Sequence, residues 1–417
     1  MKIIDIDRWE EILVTITRNK TRSVLTAFGV FWGIFMLVVM IGGGNGMEKA
    51  MKSNFSGFAT NSGFVIANPT SEAYKGFRKG RYWSMKNQDV DILRSKMIGI
   101  EHITPCLFSW PSGNNTVRGE VSGSFQVRGS YPSYNYIEQQ KMKFGRYVND
   151  VDLREARKVC TIGTRVYEVL FKKGEDPCGK FIRVDGIYYR VIGVCSGNSN
   201  IQIGGSSEEM ITLPFTTMQK TKNRGEEVDL ICFTSRKGYT VTAMQKEIER
   251  LVKDNHKIAP DDPKAIFFIN SEKMGQIFDN LFTGITLLIW IVGLGTLSAG
   301  IIGVSNIMMV TVKERTGEIG IRRAIGAKPI EIMQQILSES MVLTGIAGMT
   351  GICFGVFVLQ VLNVGVSSSS GTDAGFQISF WTAIGTTLIL LTLGSLAGLA
   401  PAWRAMSIKP IEAIRDE

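Results

Sequence analysis

Charged residues are absent from four long windows of the chain, at 23–47, 280–312, 340–372 and 374–403. Each window exceeds the roughly 20 apolar residues that a helix needs to cross the hydrocarbon core of a membrane. Buried helices of a soluble protein are shorter and carry charged residues along one face. The pattern therefore predicts four transmembrane helices, at 23–47, 280–312, 340–364 and 376–401, with a short outer loop at 365–375.

The stretch 48–279, between the first two windows, combines strand and helix patterns. Apolar runs at 188–194 and 229–233 predict strands, and a stripe from Val241 through Met244, Ile248 and Leu251 to Val252 predicts an amphipathic helix. The Gly, Ser and Asn residues of 197–207 indicate a mobile loop. We therefore predict a membrane protein of four transmembrane α-helices, with a large α+β extracytoplasmic domain of two lobes inserted between helices 1 and 2.

Orientation follows from Lys and Arg in the short flanking segments, which are enriched on the cytoplasmic side. The outer loop 365–375 has none, whereas the other flanks contain Lys2, Arg8, Arg18, Lys20, Arg22, Lys313, Arg315, Arg322, Arg323, Lys328, Arg404, Lys409 and Arg415. Both termini, the segment 313–339 and the tail 402–417 are thus expected in the cytoplasm. The stretch 48–279 holds 34 Lys and Arg against 26 Asp and Glu, a net of +8. Long domains are translocated regardless of charge, so we expect it outside a bacterial inner membrane.

Residues 1–22 show apolar side chains at three- and four-residue spacing, at Ile6, Trp9, Leu13 and Ile16. This predicts an amphipathic helix on the cytoplasmic leaflet. A helix that binds a soluble partner has the same pattern, so both interpretations stay open. The first charge-free window begins far from Met1 and lacks a small-residue cleavage site, which predicts an uncleaved anchor.

Small residues recur four apart in every predicted span: Gly29, Gly33, Gly295, Ala299, Gly303, Ala347, Gly351, Gly355, Gly394 and Gly398. Such spacing lets helices approach closely in lipid. It predicts tight packing within the bundle or between two copies, although glycine is also common in membrane helices in general.

The composition disfavours several classes of function. Ion-coupled carriers usually have ionisable residues near the membrane midplane, and the four windows contain none. The histidines are His102 and His256, and no Cys-x-x-Cys pair occurs, so we expect neither a metal site nor a catalytic triad. The odd number of cysteines in 48–279 leaves at least one unpaired there, and any disulfide pairing stays open: Cys106, Cys160, Cys178, Cys195 and Cys232.

One segment, 174–181, nearly spells a phosphate-binding P-loop. That loop requires Ser or Thr after its lysine, and Phe181 stands there instead. We therefore predict a turn that leads into a strand beginning near Phe181, and no nucleotide site on this chain.

The cytoplasmic segment carries the most specific signal. Its sequence from Lys313 to Ala327, KERTGEIGIRRAIGA, resembles the signature of the MacB/FtsX permease family, and Ile330, Ile332, Gln335, Leu337 and Glu339 continue the match. Residues 21–26, 145–194 and 401–415 also resemble family segments, at the first span, the periplasmic domain and the C-terminal tail. The resemblance therefore covers essentially the whole chain.

The resemblance implies a homodimer, or a pair of related permeases, served by a separate cytoplasmic ATPase that binds ATP and Mg²⁺. Some members carry the ATPase fused at the N-terminus, for which residues 1–22 are too short. The chain itself is then no enzyme, holds no cofactor and binds no nucleic acid. The expected ATPase-coupling residues are Glu318, Ile319, Gly320, Ile321, Arg322, Arg323, Ala324, Ile325, Gly326 and Ala327. Ile319, Ile321 and Ile325 would fill an apolar groove on the ATPase, and Glu318, Arg322 and Arg323 would orient it.

The leading functional hypothesis is an export permease that works by mechanotransmission, in which ATPase closure moves long helices that reshape the periplasmic domain. A periplasmic adaptor and an outer-membrane channel are possible further partners. Two alternatives share the signature: a lipoprotein-releasing permease, and an FtsX-like regulator of a periplasmic hydrolase that transports nothing. Neither the substrate nor its direction of movement can be read from the residues.

Overall fold

The chain forms two compact units in the computed structural model: a helical unit, Met1–Met51 with Asn280–Glu417, and an α+β unit, Lys52–Asp279. The structure describes residues 20–54, 59–109, 115–197, 203–370 and 375–408. Most of the predicted amphipathic helix at 1–22 therefore lies outside the described residues. The end of the tail, 409–417, and the centre of the predicted loop, 198–202, also lie outside them.

In chain order, the α-helices are α1 (Lys20–Asn54), α2 (Asn87–Lys96), α3 (Asp150–Arg154), α4 (Thr164–Leu170), α5 (Phe215–Thr221), α6 (Val241–Asn255), α7 (Ser271–Glu314), α8 (Thr316–Ala324), α9 (Pro329–Ser370) and α10 (Phe380–Met406). The strands are β1 (Ser62–Ala67), β2 (Met85–Lys86), β3 (Ile100–Ser109), β4 (Asn115–Arg118), β5 (Val121–Ser124), β6 (Gln126–Ser130), β7 (Gln140–Gly145), β8 (Val159–Gly163), β9 (Phe181–Val184), β10 (Ile187–Gly197), β11 (Met210–Pro214), β12 (Glu227–Val228), β13 (Leu230–Ser235) and β14 (Ile266–Asn270).

Within the described residues, four helices are long and apolar enough to cross a membrane, namely α1, α7, α9 and α10. This confirms the four spans that the charge-free windows predict. The helices α1 and α7 extend beyond their windows at both ends, because helical hydrogen bonding continues into residues that charge would exclude from lipid. The helix α9 begins before its window, at Pro329, and runs to Ser370, so residues 365–370 of the predicted outer loop are helical. The helix α10 lies slightly later than predicted, because Ser379 is still extended and the first helical residue is Phe380.

The helix α7 has 44 residues, from Ser271 to Glu314, more than any other element of the described residues. At 1.5 Å per residue it is about 66 Å long, roughly twice the hydrocarbon core of a membrane. Its residues up to Asp279 belong to the α+β unit, and those from Asn280 belong to the helical unit. One unbroken helix thus contributes residues to both units.

Glycines let the helices of the helical unit approach one another. On α1, a methyl group added at Gly33 would lie 3.1 Å from Leu297 Cα of α7, and one added at Gly29 would lie 3.5 Å from Gly300 Cα. On α9, a methyl group added at Gly351 would lie 2.8 Å from the carbonyl oxygen of Phe31 in α1. Gly355 meets Val38 of α1, and Gly394 and Gly398 of α10 meet Thr344 and Ser340 of α9. These six predicted glycines all lie at helix contacts.

The predicted set on α7 behaves differently. No described atom lies within 4 Å of a methyl group added at Gly295 or Gly303, and Ala299 is exposed. The glycines of α7 that pack inside the unit are Gly293, against Leu37, and Gly300, against Gly29. The four-residue spacing alone could not distinguish these faces, because α7 has glycines on both its packed and its exposed sides.

Gly351→Ala is expected to destabilise the helical unit by about 1–3 kcal/mol, because the new methyl group would press on backbone of α1 that has no rotamer to change. The matched control is Gly345→Ala in the same helix, where nothing lies within 4 Å of the added methyl group. Thermal unfolding of the full chain in lipid nanodiscs measures both. Equal melting temperatures for the two variants would contradict the packing described here.

The α+β unit is built on a mixed twelve-stranded sheet. The order is β14–β1–β13–β3–β6–β11–β8–β10–β9–β4–β5, and β7 pairs with β10. The pairs β6–β11 and β8–β10 are parallel, and β12 and β2 form a separate ribbon. The predicted runs 188–194 and 229–233 correspond to β10 and β13, and the predicted stripe corresponds to α6.

The two predicted lobes are not separate bodies. The first strand of the unit, β1, is inserted between its last two strands, β13 and β14. Buried residues from all parts of the sheet then form one main core, which includes Val65, Val127, Ile162 and Val194, with Ile248 from α6. The two-lobe prediction was wrong because strand pairing between distant parts of the chain leaves no periodicity signal in the sequence.

The near-P-loop segment forms the predicted turn. Gly174 and Gly179 both have φ of +85°, and β9 begins at Phe181. The Lys180 ammonium forms an ion pair with Glu175, which also accepts from Arg118 Nη2 at 2.6 Å. Hydrogen bonds from Lys180 and Arg118 lower the pKa of Glu175 to about 2. The lysine is therefore engaged by a carboxylate of its own loop.

All six cysteines lie in the described part of the chain, and none is joined to another. The Sγ atoms of Cys106 and Cys232 are 3.9 Å apart in the buried core. The sequence left their pairing open, and in this structure the two groups are thiols in contact.

Asp262 fixes the segment that precedes β14. Its buried carboxylate accepts backbone hydrogen bonds from Ser71, Glu72, Lys264 and Ala265. Burial alone would raise its pKa, but these bonds and the one from the Ser71 hydroxyl lower the pKa to about 2, from an ordinary 3.8. A carboxyl with a lowered folded-state pKa stabilises the fold above its unfolded pKa, and this contribution is lost as the pH falls through the folded value.

Asp262→Asn is therefore expected to lower stability near neutral pH by about 2 kcal/mol and to remove part of the acid sensitivity between about pH 4 and pH 2. Hydrogen exchange of the Ser71 and Glu72 amides in the full chain measures the effect. The matched control is Asp261→Asn, at the exposed neighbouring position. Wild-type exchange rates in Asp262→Asn at neutral pH would contradict the account.

Candidate functional site

The segment with the family signature forms a short helix between two long ones. The helix α7 ends at Glu314, and the Thr316 hydroxyl donates to the Lys313 carbonyl at 2.7 Å, which satisfies one of its last carbonyl groups. The helix α8 then runs from Thr316 to Ala324 and stops before Gly326, whose φ is +110°. Such a left-handed residue is the usual end of a helix.

The next helix begins inside the predicted coupling segment 313–339. Pro329 is its first residue, where the missing N–H has no helical partner to lose. The Glu331 carboxylate accepts from the Lys328 amide at 3.2 Å, as in a capping box. The segment is therefore the helix α8, a tight turn and the first turns of the spanning helix α9.

Burial divides the predicted isoleucines into two groups. Ile319 is 8% exposed and lies in the core of the helical unit with Ile332 and Ile336 of α9. Ile321 and Ile325 are 51% and 82% exposed. Ile319 is thus unavailable to a groove on another protein, because its own unit already covers it. Gly320 is buried beside it.

Side chains exposed along α8 and just after it form a patch, called here the docking patch: Glu318, Ile321, Ala324 and Ile325. The first, second and fourth positions lie three and four residues apart, so they share one side of the helix. Gly326 is also exposed, and Ala327 is half-buried. Two large aliphatic side chains, Ile321 and Ile325, are thus exposed in the isolated chain at the end of a polar helix.

The predicted arginines are engaged inside the chain. Arg322 donates to Glu318 Oε1 at 3.0 Å and to Gln335 Oε1 of α9 at 3.1 Å. Arg323 Nη1 donates to the Met406 carbonyl at 2.9 Å and to the Ile408 carbonyl, both at the end of α10. Arg323 therefore contacts its own chain, and orientation of a partner by this residue stays a prediction.

The sequence did not predict an ion pair that lies beside α8 in the helical unit. Arg315 Nη1 lies 3.3 Å from Glu339 Oε1, and the Glu339 side chain is 5% exposed. The pair joins the turn after α7 to α9. The available signal was that each residue stands at the edge of a charge-free window, where a lone charge would be costly to bury.

A cleft between α7, α8 and α9 has a volume of about 30 Å³. It is lined by Met308, Thr311, Val312, Arg315, Glu318, Ile319, Arg322, Ile332, Gln335, Ile336 and Glu339. This volume is that of about one or two water molecules. Among the described residues, no group of three or more His, Cys, Asp and Glu side chains could hold a metal ion. The site thus consists of an exposed surface on α8 and of polar contacts that hold α8 to the neighbouring helices.

Family comparisons cover most of the chain. Residues 23–251 match the MacB-like periplasmic core domain, and residues 290–410 match the FtsX-like permease C-terminal domain. The first match includes α1 and most of the α+β unit, and the second includes α8, α9 and α10.

Curated relatives include the macrolide export ATP-binding/permease protein MacB of Mannheimia succiniciproducens, 28% identical over 96% of this chain and 60% of the relative. The protein of the same name from Aggregatibacter actinomycetemcomitans is 32% identical over 81% of this chain and 50% of the relative. The chain therefore spans at most about 60% of the length of these relatives.

Solved structures with similarity to the chain include the periplasmic region of MacB from Actinobacillus actinomycetemcomitans, with a TM-score of 0.43 and 22% identity over 54% of this chain and 96% of that chain. The extracellular domain of the noncanonic ABC-type transporter YknZ from Gram-positive bacteria gives a TM-score of 0.41 and 20% identity, over 50% of this chain and 100% of that chain.

Proposed function

Because the chain belongs to the family of permeases that combine a MacB-like periplasmic core domain with an FtsX-like permease domain, we propose that it is the permease subunit of an ATP-binding-cassette export system. The observation that carries the proposal is the docking patch: Ile321 and Ile325 are exposed on a helix that is itself braced to the spanning helices. A protein surface is the partner that such side chains fit.

The partner that we propose for the docking patch is a separate cytoplasmic ATPase, which would bind ATP and Mg²⁺. Ile321 and Ile325 would enter an apolar groove on it, and Glu318 would contact the polar rim of that groove. The relatives named ATP-binding/permease proteins support this assignment, since their names join the two activities. The chain itself supplies no catalytic group in this proposal.

The proposed orientation places both termini and α8 in the cytoplasm and the α+β unit outside a bacterial inner membrane. The Lys and Arg residues around α8 support this orientation through the positive-inside rule. The same orientation puts the docking patch within reach of a soluble ATPase. A second permease copy, identical or related, would complete the complex.

The proposed mechanism is mechanical. Displacement of α8 by the ATPase would move the end of α7, and α7 runs without a break from Glu314 to Ser271 in the α+β unit. The Arg315–Glu339 ion pair would carry the same displacement to α9. Cargo would be taken up by the outer domain and passed outward, through an adaptor and an outer-membrane channel where these are present.

The test is to purify the tagged full chain gently from native membranes and to identify the proteins that remain bound. An ATPase with a periplasmic adaptor and an outer-membrane channel is the expected result. An ATPase with a cell-wall hydrolase would assign the chain to the regulators instead. Complete absence of an ATPase would overturn the proposal.

A further inference from the structure

Arg323 of α8 is bound to the end of a transmembrane helix that is distant in the sequence. Its guanidinium donates to the Met406 carbonyl at 2.9 Å and to the Ile408 carbonyl. The helix α10 ends at Met406, and Ser407 is its C-cap. One side chain therefore joins the last turn of α8 to the cytoplasmic end of α10.

The chemistry of this contact is that of a helix cap. The last carbonyl groups of a helix have no amide donors of their own, and the negative end of the helix dipole lies there. Arginine suits the position because its planar group donates several hydrogen bonds and stays charged at every physiological pH.

Two small residues of α10 lie in the core of the helical unit near this contact. Ala402 and Ala405 of α10 are fully buried, in the same core cluster as Ile319 of α8. These two alanines and the Met406 carbonyl group that Arg323 contacts all lie at the end of α10. The docking patch lies on other residues of α8, so the contact leaves that surface open.

The neighbouring arginines bind elsewhere. Arg322 contacts Gln335 and Arg315 contacts Glu339, and both partners belong to α9. Among the polar contacts described for α8, those of Arg323 are the ones that reach α10.

We propose that Arg323 is a positioning residue that fastens α8 to the fourth transmembrane helix, so that a displacement of α8 moves α10 together with α7 and α9. This inference rests on the proposed function, because it assumes that the ATPase displaces α8. It assigns Arg323 to transmission inside the permease and the docking patch to the contact with the ATPase.

The experiment compares hydrogen exchange of the purified complex in nanodiscs with and without ATP, for Arg323→Ala, Arg323→Lys and the wild type. The matched control is Lys328→Ala, which removes an exposed cation from the same segment. Exchange in residues 402–408 of Arg323→Ala is expected to rise about tenfold without ATP, because a charge-assisted cap is lost. ATP should then change exchange in α7 but no longer in α10, while the amount of bound ATPase stays at the wild-type level.

Arg323→Lys should give an intermediate result, because an ammonium can still donate to one carbonyl, and Lys328→Ala should match the wild type. Wild-type exchange at 402–408 in Arg323→Ala would overturn the contact itself. If Arg323→Ala speeds exchange at 402–408 but ATP still changes exchange in α10 as in the wild type, then Arg323 only caps the helix. That result would overturn its role in transmitting the displacement of α8. If the wild type retains no ATPase, the proposed function fails, and this inference fails with it.

Discussion

Replacing Ile325 by glutamate is expected to weaken binding of the ATPase by about 100-fold, because buried aliphatic anchors at interface centres contribute about 2–4 kcal/mol each. Ile325 is 82% exposed in the isolated chain, so the substitution removes little packing from the fold itself. A charge placed in the apolar groove of the partner would also be left without water or a counter-ion. The measurement is the amount of ATPase retained by the full chain purified from native membranes.

Two control variants separate the apolar contact from charge and from shape. Lys328→Ala changes the net charge by the same amount at an exposed position nearby, and Ile325→Val keeps a branched aliphatic side chain. Both should retain at least about half of the wild-type ATPase, since volume-conserving swaps and single surface charges have small effects. Retention of the ATPase by Ile325→Glu, at the wild-type level, would remove Ile325 from the interface.

Glu138→Ala is expected to destabilise the α+β unit by about 3–5 kcal/mol, because it leaves the Arg128 charge buried without its partner. Arg128 and Glu138 are both about 2% exposed, with Nη1 and Oε2 3.2 Å apart. The Ser207 hydroxyl also donates to Glu138, and the Arg128 guanidinium lies 4.1 Å from the centre of the Tyr134 ring. Removing the carboxylate therefore breaks a network that extends beyond one pair.

Hydrogen exchange of the central strands β6 and β11 in the full chain reports this loss. The matched control is Glu155→Ala, which removes a carboxylate paired with Arg157 at 2.7 Å on the exposed surface. Exposed pairs contribute about 0–1 kcal/mol, so the control should leave β6 and β11 protected. Similar protection in both variants would show that the buried pair stabilises the unit no more than a surface pair.

The sequence predicted the class of fold well, because lipid imposes a strong and local requirement. Each spanning segment must be long, apolar and free of charge, and the windows around Gly33, Gly295, Gly351 and Gly394 satisfy it. Helix ends were less predictable. The end of α1 at Asn54 and the start of α7 at Ser271 lie in charged sequence, where hydropathy gives no signal.

The arrangement of the α+β unit could not be predicted in the same way. The insertion of β1 between β13 and β14 joins residues that are about half of the chain apart, such as Phe64 and Cys232. Pairing of this kind depends on side-chain fit across strands, which is not a periodic property of either strand alone. The single sheet was therefore apparent only in three dimensions.

The family motif located the candidate site in the sequence. The sequence did not show which residues of the site are buried and which are exposed. Ile319 and Ile325 look equivalent in the sequence, yet one is in the core and the other in solvent. The helix α8 is only nine residues long, so its faces are decided by the helices that pack against it. Arg323 differs from Arg322 for the same reason, because the end of α10 is adjacent in space and remote in sequence.

The most direct test of the central claim is a photo-crosslinking residue placed at Ile325 in the full chain, activated in native membranes. The control position is Leu396, which is exposed on the spanning helix α10. We expect the probe at 325 to link the chain to an ATP-binding-cassette ATPase, and the probe at 396 to give no such product. Absence of an ATPase product at 325, or equal products at both positions, would contradict the claim that α8 is the docking site of the motor.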